Sequence, residues 1–168
     1  MIANLLEKIS ELEQQIATLK AEVEKEEKEK DPNKRWRAEV GCMYWFVESG
    51  GNPKWWHENS RYIDDFYYDT HNYFQTEDEA QKYARVLETE RQLKRFADEH
   101  NDKIDWSNNI NQEKWNLCYY YSRYEVSPII CRMIKDARVI YFLSEEIARQ
   151  AIDEIGEEKI KEYLTYEW

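Results

Sequence analysis

The sequence predicts an α+β protein, an N-terminal coiled-coil helix followed by a domain of two β-meander-plus-helix repeats. Three observations lead there. Apolar residues keep a strict seven-residue spacing from Ile2 to Val23. Short aromatic runs broken by Gly, Pro and Asn follow, the punctuation of strands and turns. The octamer Tyr73–Ala80 then recurs in pattern at Tyr141–Ala148, 68 residues further on.

Residues 1–31 form the first element. Ile2, Ile9, Ile16 and Val23 fall on position a of the heptad, and Leu5, Leu12 and Leu19 on position d. A seven-residue period keeps one stripe facing a partner only when helices supercoil, and β-branched residues at a with Leu at d favour two parallel strands. A single amphipathic helix folded back on its own domain is the alternative. The stripe is narrow, confined to a and d apart from Leu6, and Glu, Lys and Gln fill the gaps, which points to a thin seam between chains. Asp31-Pro32-Asn33 ends the helix, because proline cannot donate a backbone hydrogen bond and disfavours helix in the residue before it. The first expected partner is therefore a second copy of the chain.

Residues 35–168 form the second element, with repeat one at about 40–100 and repeat two at about 114–163. Met43-Tyr44-Trp45-Phe46-Val47 reads as a strand, Ser49-Gly50-Gly51-Asn52-Pro53 as the reversal, and Lys54-Trp55-Trp56-His57 as the returning strand. A third strand is expected around Phe66–Phe74. Thr76 and Glu79 make a capping box, and Ala80, Tyr83, Leu87, Leu93, Phe96 and Ala97 give the apolar face of a helix to about His100. The order then recurs, with strands at Trp115–Tyr121, Ser127–Met133 and Arg138–Phe142. A helix follows from Ser144 and closes at Gly156, with a short last helix over Glu157–Tyr163. Convergence of strand-to-helix junctions on similar octamers is the alternative to a true repeat.

Composition narrows the function classes. Over 168 residues the hydrophobic share is 42% and the aromatic share 15%, against four Gly and three Pro, which excludes a disordered or collagen-like chain. The formal charge of −11 disfavours non-specific binding to nucleic acid or to anionic membranes. No apolar run approaches a membrane span and nothing reads as a secretory leader, so a cytosolic location is expected. Cys42, Cys118 and Cys131 match neither a disulfide framework nor a zinc-ligand pair, and read as small buried hydrophobes.

For chemistry, His57, His71 and His100 fall on different elements, and no Ser or Cys sits in a nucleophile context. Asp64, Asp65, Asp69 and His71 could be assembled into a metal site for phosphodiester cleavage, but a polar loop between strands explains them as well. No catalytic residue, metal site or cofactor is expected. Binding is the stronger reading. Arg35, Arg37, Trp55, Trp56, Arg61, Tyr62, Tyr120 and Arg123 interleave cations with flat rings, a combination that can stack a base and grip a phosphate. The same residues would also suit a sheet whose Tyr and Trp pack under Arg stems.

Several stretches resemble a known group of proteins. The Glu/Lys-rich leading helix, Tyr44-Trp45-Phe46-Val47, Asn72–Ala80 (NYFQTEDEA), Leu93–Asp102 (LKRFADEHND), Ile104-Asp105-Trp106 and Asn111–Tyr121 (NQEKWNLCYYY) are similar to small accessory proteins of phages and prophages of Gram-positive bacteria. The resemblance implies a virally encoded accessory protein, and small phage proteins of this size often counter host defences; with no catalytic group expected, the reading is a non-enzymatic viral anti-defence protein in the cytoplasm of the bacterial host. Together with the interleaved cations and rings, the expected mode is an oligomeric sponge that sequesters a nucleotide-derived immune signal. The alternative is a protein-directed inhibitor of a host defence complex, acting as anti-CRISPR proteins do.

Overall fold

The computed structural model describes residues 8, 9, 11, 12, 14–16, 18–20, 35–107, 112–131, 135, 136 and 139–167. The chain divides into two compact units, Met1–Trp36 and Arg37–Trp168. In the first unit every described residue from Lys8 to Lys20 is helical, and Ile9, Leu12, Ile16 and Leu19 are all exposed on the single chain. Thr18 Oγ1 donates back to the Gln14 carbonyl at 3.0 Å, one turn earlier. Ile2, Leu5 and Val23 lie outside the described residues.

The second unit is mixed α+β. Strands β1 (Met43–Val47) and β2 (Pro53–His57) pair antiparallel, with Met43 opposite His57 and Val47 opposite Pro53. Gly51 sits at φ +85°, a region closed to most side chains, and so lets the chain reverse within the short connection. Helix α1 (Tyr62–Asp69) follows, then the long helix α2 (Glu77–His100). Thr76 Oγ1 accepts from the Glu79 N–H at 3.3 Å while Glu79 Oε2 accepts from the Thr76 N–H at 3.1 Å, the reciprocal box read from the sequence.

Strands β3 (Lys114–Tyr120) and β4 (Glu125–Cys131) form the second antiparallel pair, from Lys114 opposite Cys131 to Tyr120 opposite Glu125. Helix α3 (Glu145–Ile155) starts on Ser144, whose Oγ accepts from the Ile147 N–H at 3.2 Å. It stops at Gly156, at φ +101°, from which α4 (Glu157–Leu164) departs.

Each hairpin gains a third segment by one bridge in place of a full strand. Trp45 donates to the Phe74 carbonyl at 2.9 Å and accepts from the Phe74 N–H at 2.8 Å, and Trp115 and Phe142 make the matching pair at 2.8 and 2.7 Å. The strand expected over Phe66–Phe74 is instead α1 as far as Asp69. Its nucleus is Asp64, whose carboxylate accepts from the Arg61 N–H at 3.0 Å and so satisfies an N–H that the helix start would otherwise leave open. Of the strand expected over Arg138–Phe142, Phe142 alone bridges among the described residues, and Arg138 lies outside them.

The core has three parts, two of them built on α2. Val47, Ala80 and Ala84 pack with Trp45, Phe74 and Tyr83 near its start. Tyr44, Ala38 and Tyr73 pack with Phe46, Tyr67 and Tyr68 on the other face of β1. The largest part joins Leu93, Phe96 and Ala97 of α2 to Leu117, Val126, Phe142, Ala148, Ala151, Ile155 and Ile160.

Candidate functional site

Two buried carboxylates organise the surface where most of the expected binding residues lie. Glu58 follows β2 directly and is 1% exposed. Its oxygens accept from Arg37 Nε at 2.9 Å, Arg37 Nη2 at 3.1 Å, the Tyr73 hydroxyl at 2.8 Å and the Ser60 N–H at 2.7 Å. Asp64, fully buried, accepts from the Tyr44 hydroxyl at 2.8 Å and from the N–H groups of Asn59 and Arg61 at 3.1 and 3.0 Å. The Tyr44 and Tyr73 rings stack at 3.9 Å between centroids, so the two acids are joined through the rings that donate to them.

The electrostatics follow from those contacts. Burial pushes the Glu58 carboxyl up, but Arg37, the Ser60 N–H and Tyr73 outweigh it and hold the group below the usual carboxylate range. Asp64 is likewise held low, because the Arg61 N–H, Tyr44 and the Asn59 N–H more than offset its burial. Burial, and then the bond to a carboxylate, push the Tyr44 and Tyr73 hydroxyls far up. Arg37 is raised by its bonds to Glu58 and then to Asp65, whose Oδ1 lies 2.7 Å from Nη2. These groups are locked in one protonation state around neutral pH, which suits a framework better than a general acid or base.

The expected ligand residues are therefore not equivalent. Arg37 has its planar fork committed to Glu58 and Asp65, with Tyr68 stacked 5.1 Å from its guanidinium carbon. Trp55 and Trp56 are each half exposed, but as neighbours on β2 they point to opposite faces of the sheet and cannot line one wall. Arg61 is the N-cap of α1, and Tyr62, its first residue, is 82% exposed. Tyr120 and Arg123 sit on the other hairpin, with the guanidinium 4.4 Å over the ring and Nε 3.1 Å from Glu125. Arg35 belongs to the first unit. Among the described residues no group of three His, Cys, Asp or Glu is placed to hold a metal. Asp64 and Asp65 are engaged as above, and His71 Nδ1 lies 3.3 Å from the Asp69 carbonyl.

Comparison of the chain with protein-family models, curated proteins and solved structures returned no match. What the site can do rests on its surface. Tyr62, Ile63 and Phe66 share one face of α1 and are all exposed, while Tyr67 and Tyr68 turn inward to Phe46 and Tyr73. Asp65 and Asp69 stand exposed beside that face. The sequence points to Tyr62 but not to Ile63 or Phe66, because a strand over 66–74 hides the i+3 and i+4 spacing that joins Phe66 to the other two. The signal available was the Asp three residues after Arg61, the position from which a carboxylate reaches back to the N-cap.

Proposed function

We propose that the protein is a non-enzymatic, self-associating binding protein that docks on a host defence protein and blocks it. The exposed Tyr62/Ile63/Phe66 face of α1 carries this reading. It is held rigid from below by the Asp64 and Glu58 networks and flanked by carboxylates, so it complements an apolar groove rimmed with basic residues. Such rims are typical of surfaces that bind nucleic acid. The seam of Ile9, Leu12, Ile16 and Leu19 would present more than one copy of the face at once. The resemblance to phage accessory proteins supplies the host-defence setting.

The nucleotide-sponge reading keeps one specific support, the Tyr120 ring stacked under Arg123 beside the exposed Tyr121 and Tyr124. The pair could extend to a base and a phosphate. One experiment separates the two. Purified protein is titrated into reconstituted nucleic-acid-dependent defence nucleases and, in parallel, into a panel of nucleotide signals followed by heat release. Docking predicts inhibition of a nuclease that Tyr62→Ala with Phe66→Ala weakens by at least ~2 kcal/mol while the fold persists. Stoichiometric recovery of an intact nucleotide, unaffected by that pair but lost in Arg123→Ala, would replace docking with sequestration.

A further inference from the structure

The outer edge of β2 carries backbone groups that no described residue fills, and their arrangement is self-complementary. Trp45 spends its N–H and C=O on Phe74, and Val47 spends both of its own on the Asn72 amide at 2.7 Å each. In an antiparallel ladder the N–H and C=O of one residue point the same way, so Trp45 and Val47 face away from β2. The Glu58 N–H donates to the Cys42 carbonyl at 2.9 Å, which puts Met43 in the same outward phase. Their partners across the register, Pro53, Trp55 and His57, therefore aim their backbone groups at the open edge.

Those three positions differ. Trp55 has a free donor and a free acceptor among the described residues. Pro53 has a carbonyl but no N–H. His57 has an N–H, while its carbonyl already accepts from Asn59 Nδ2 at 2.7 Å. If a second β2 lies antiparallel with Trp55 opposite the partner's Trp55, the two exchange both bonds, and each His57 N–H meets the partner's Pro53 carbonyl. The occupied His57 carbonyl then faces the residue that has no hydrogen to donate. A slip of two residues either way sets the Trp55 N–H against that occupied carbonyl or its C=O against proline. Side chains agree with the same register, which puts Trp56 opposite the partner's Lys54 and keeps the lysines from facing each other.

We propose that β2 pairs with β2 of a second copy, antiparallel about a two-fold axis at Trp55, to give a four-stranded sheet in the order β1-β2-β2-β1. The half-exposed Trp55 and Trp56 become interface residues. The other hairpin offers a contrast. Because Trp115 bonds Phe142, the outward positions of β4 are Val126, Pro128 and Ile130; the Val126 N–H is taken by Glu157 at 2.8 Å and Pro128 has none. Only one of that edge's three outward positions, Ile130, has an N–H to offer, and β2 is the edge built for pairing. The contact uses neither the N-terminal seam nor the α1 face, so it stands apart from the proposed docking.

The test uses the full chain with Ile9→Asp and Ile16→Asp, which removes the seam. Sedimentation velocity should still show a dimer that grows with concentration, and the amide protons of Trp55 and His57 should exchange more slowly as it forms. Trp55→Pro should abolish that dimer, while Trp55→Phe, which keeps the N–H and a flat ring, should retain it. A chain monomeric at every concentration, a dimer in which the Trp55 and His57 amides exchange freely, or a dimer undiminished in folded Trp55→Pro would each overturn the proposal. If Trp55→Pro fails to fold, the amide exchange decides.

Discussion

A carboxylate taken out of water costs several kcal/mol unless its lone pairs are filled, and Glu58 fills them with four donors. Asp65 binds the same Arg37 guanidinium but stands half in solvent, with 53% of its side chain exposed against 2% for Glu58. The distinction predicts unequal costs. Glu58→Ala should lose ~3 kcal/mol, the low end for breaking a buried pair because Arg37 keeps Asp65, and Asp65→Asn less than ~1 kcal/mol. Urea unfolding of the two variants checks this, and equal losses would show that Glu58 is no more than a surface partner. None of this was legible in the sequence. Arg37 and Glu58 are 21 residues apart, and an arginine flanked by Trp36 reads locally as a stacking cation. The committed fork appears only when α1 brings Asp65 alongside.

At the scale of elements, local signals were readable where they were complete within a few residues. The Thr76 and Ser144 caps, the Gly51 reversal and the Gly156 stop are of that kind, since each pairs a turn or capping residue with the apolar run it bounds. The sequence points to a third strand over Phe66–Phe74 because Phe66, Tyr67, Tyr68, Tyr73 and Phe74 favour strands; over Tyr62–Asp69 the bond that Asp64 accepts, which propensity does not count, makes a helix instead. What stands in for the missing strands is a pair of asparagines. Asn72 caps the Val47 N–H and C=O, and Asn101 does the same across Tyr141 and Leu143, donating at 2.7 Å and accepting at 3.0 Å. Each amide imitates a peptide group at the end of a bridge. Asn72→Ala should therefore leave two backbone groups of Val47 unmatched and cost ~1–3 kcal/mol, whereas Asn72→Asp, which keeps the acceptor but not the donor, should cost part of that. Thermal unfolding of both variants measures the difference, and a neutral Asn72→Ala would remove the amide from any role in the hairpin.

Across the second unit, α2 is the spine common to cores of unequal size. Its first half meets β1 through Val47, Ala80 and Ala84, and its second half meets the larger cluster through Leu93, Phe96 and Ala97. Arg85 ties it to α4 by a fork on Glu162 at 3.0 and 2.7 Å. The smaller cores stand beside the buried acids, so the half of the unit with less apolar burial is also the half that depends on ionised carboxylates. The sign of the pH effect follows. Glu58 and Asp64 are held below their ordinary range in the folded chain, so the unfolded chain binds more protons once the pH drops to that range. Their contribution is complete above about pH 5 and drains away as the pH falls through the ordinary values near 4 toward the folded ones. Acid should accordingly open β1, β2 and α1 before β3, β4, α3 and α4. Hydrogen exchange followed by mass spectrometry from neutral pH downward, corrected for the intrinsic rate, should show protection lost first in peptides covering 43–69, with 114–131 and 145–164 protected to lower pH. In Glu58→Gln, which cannot ionise, the early loss should shrink and the half should already be weaker at neutral pH. Simultaneous loss along the whole unit would instead mean that α2 couples the cores into one cooperative block, and that the carboxylates stabilise the unit as a whole.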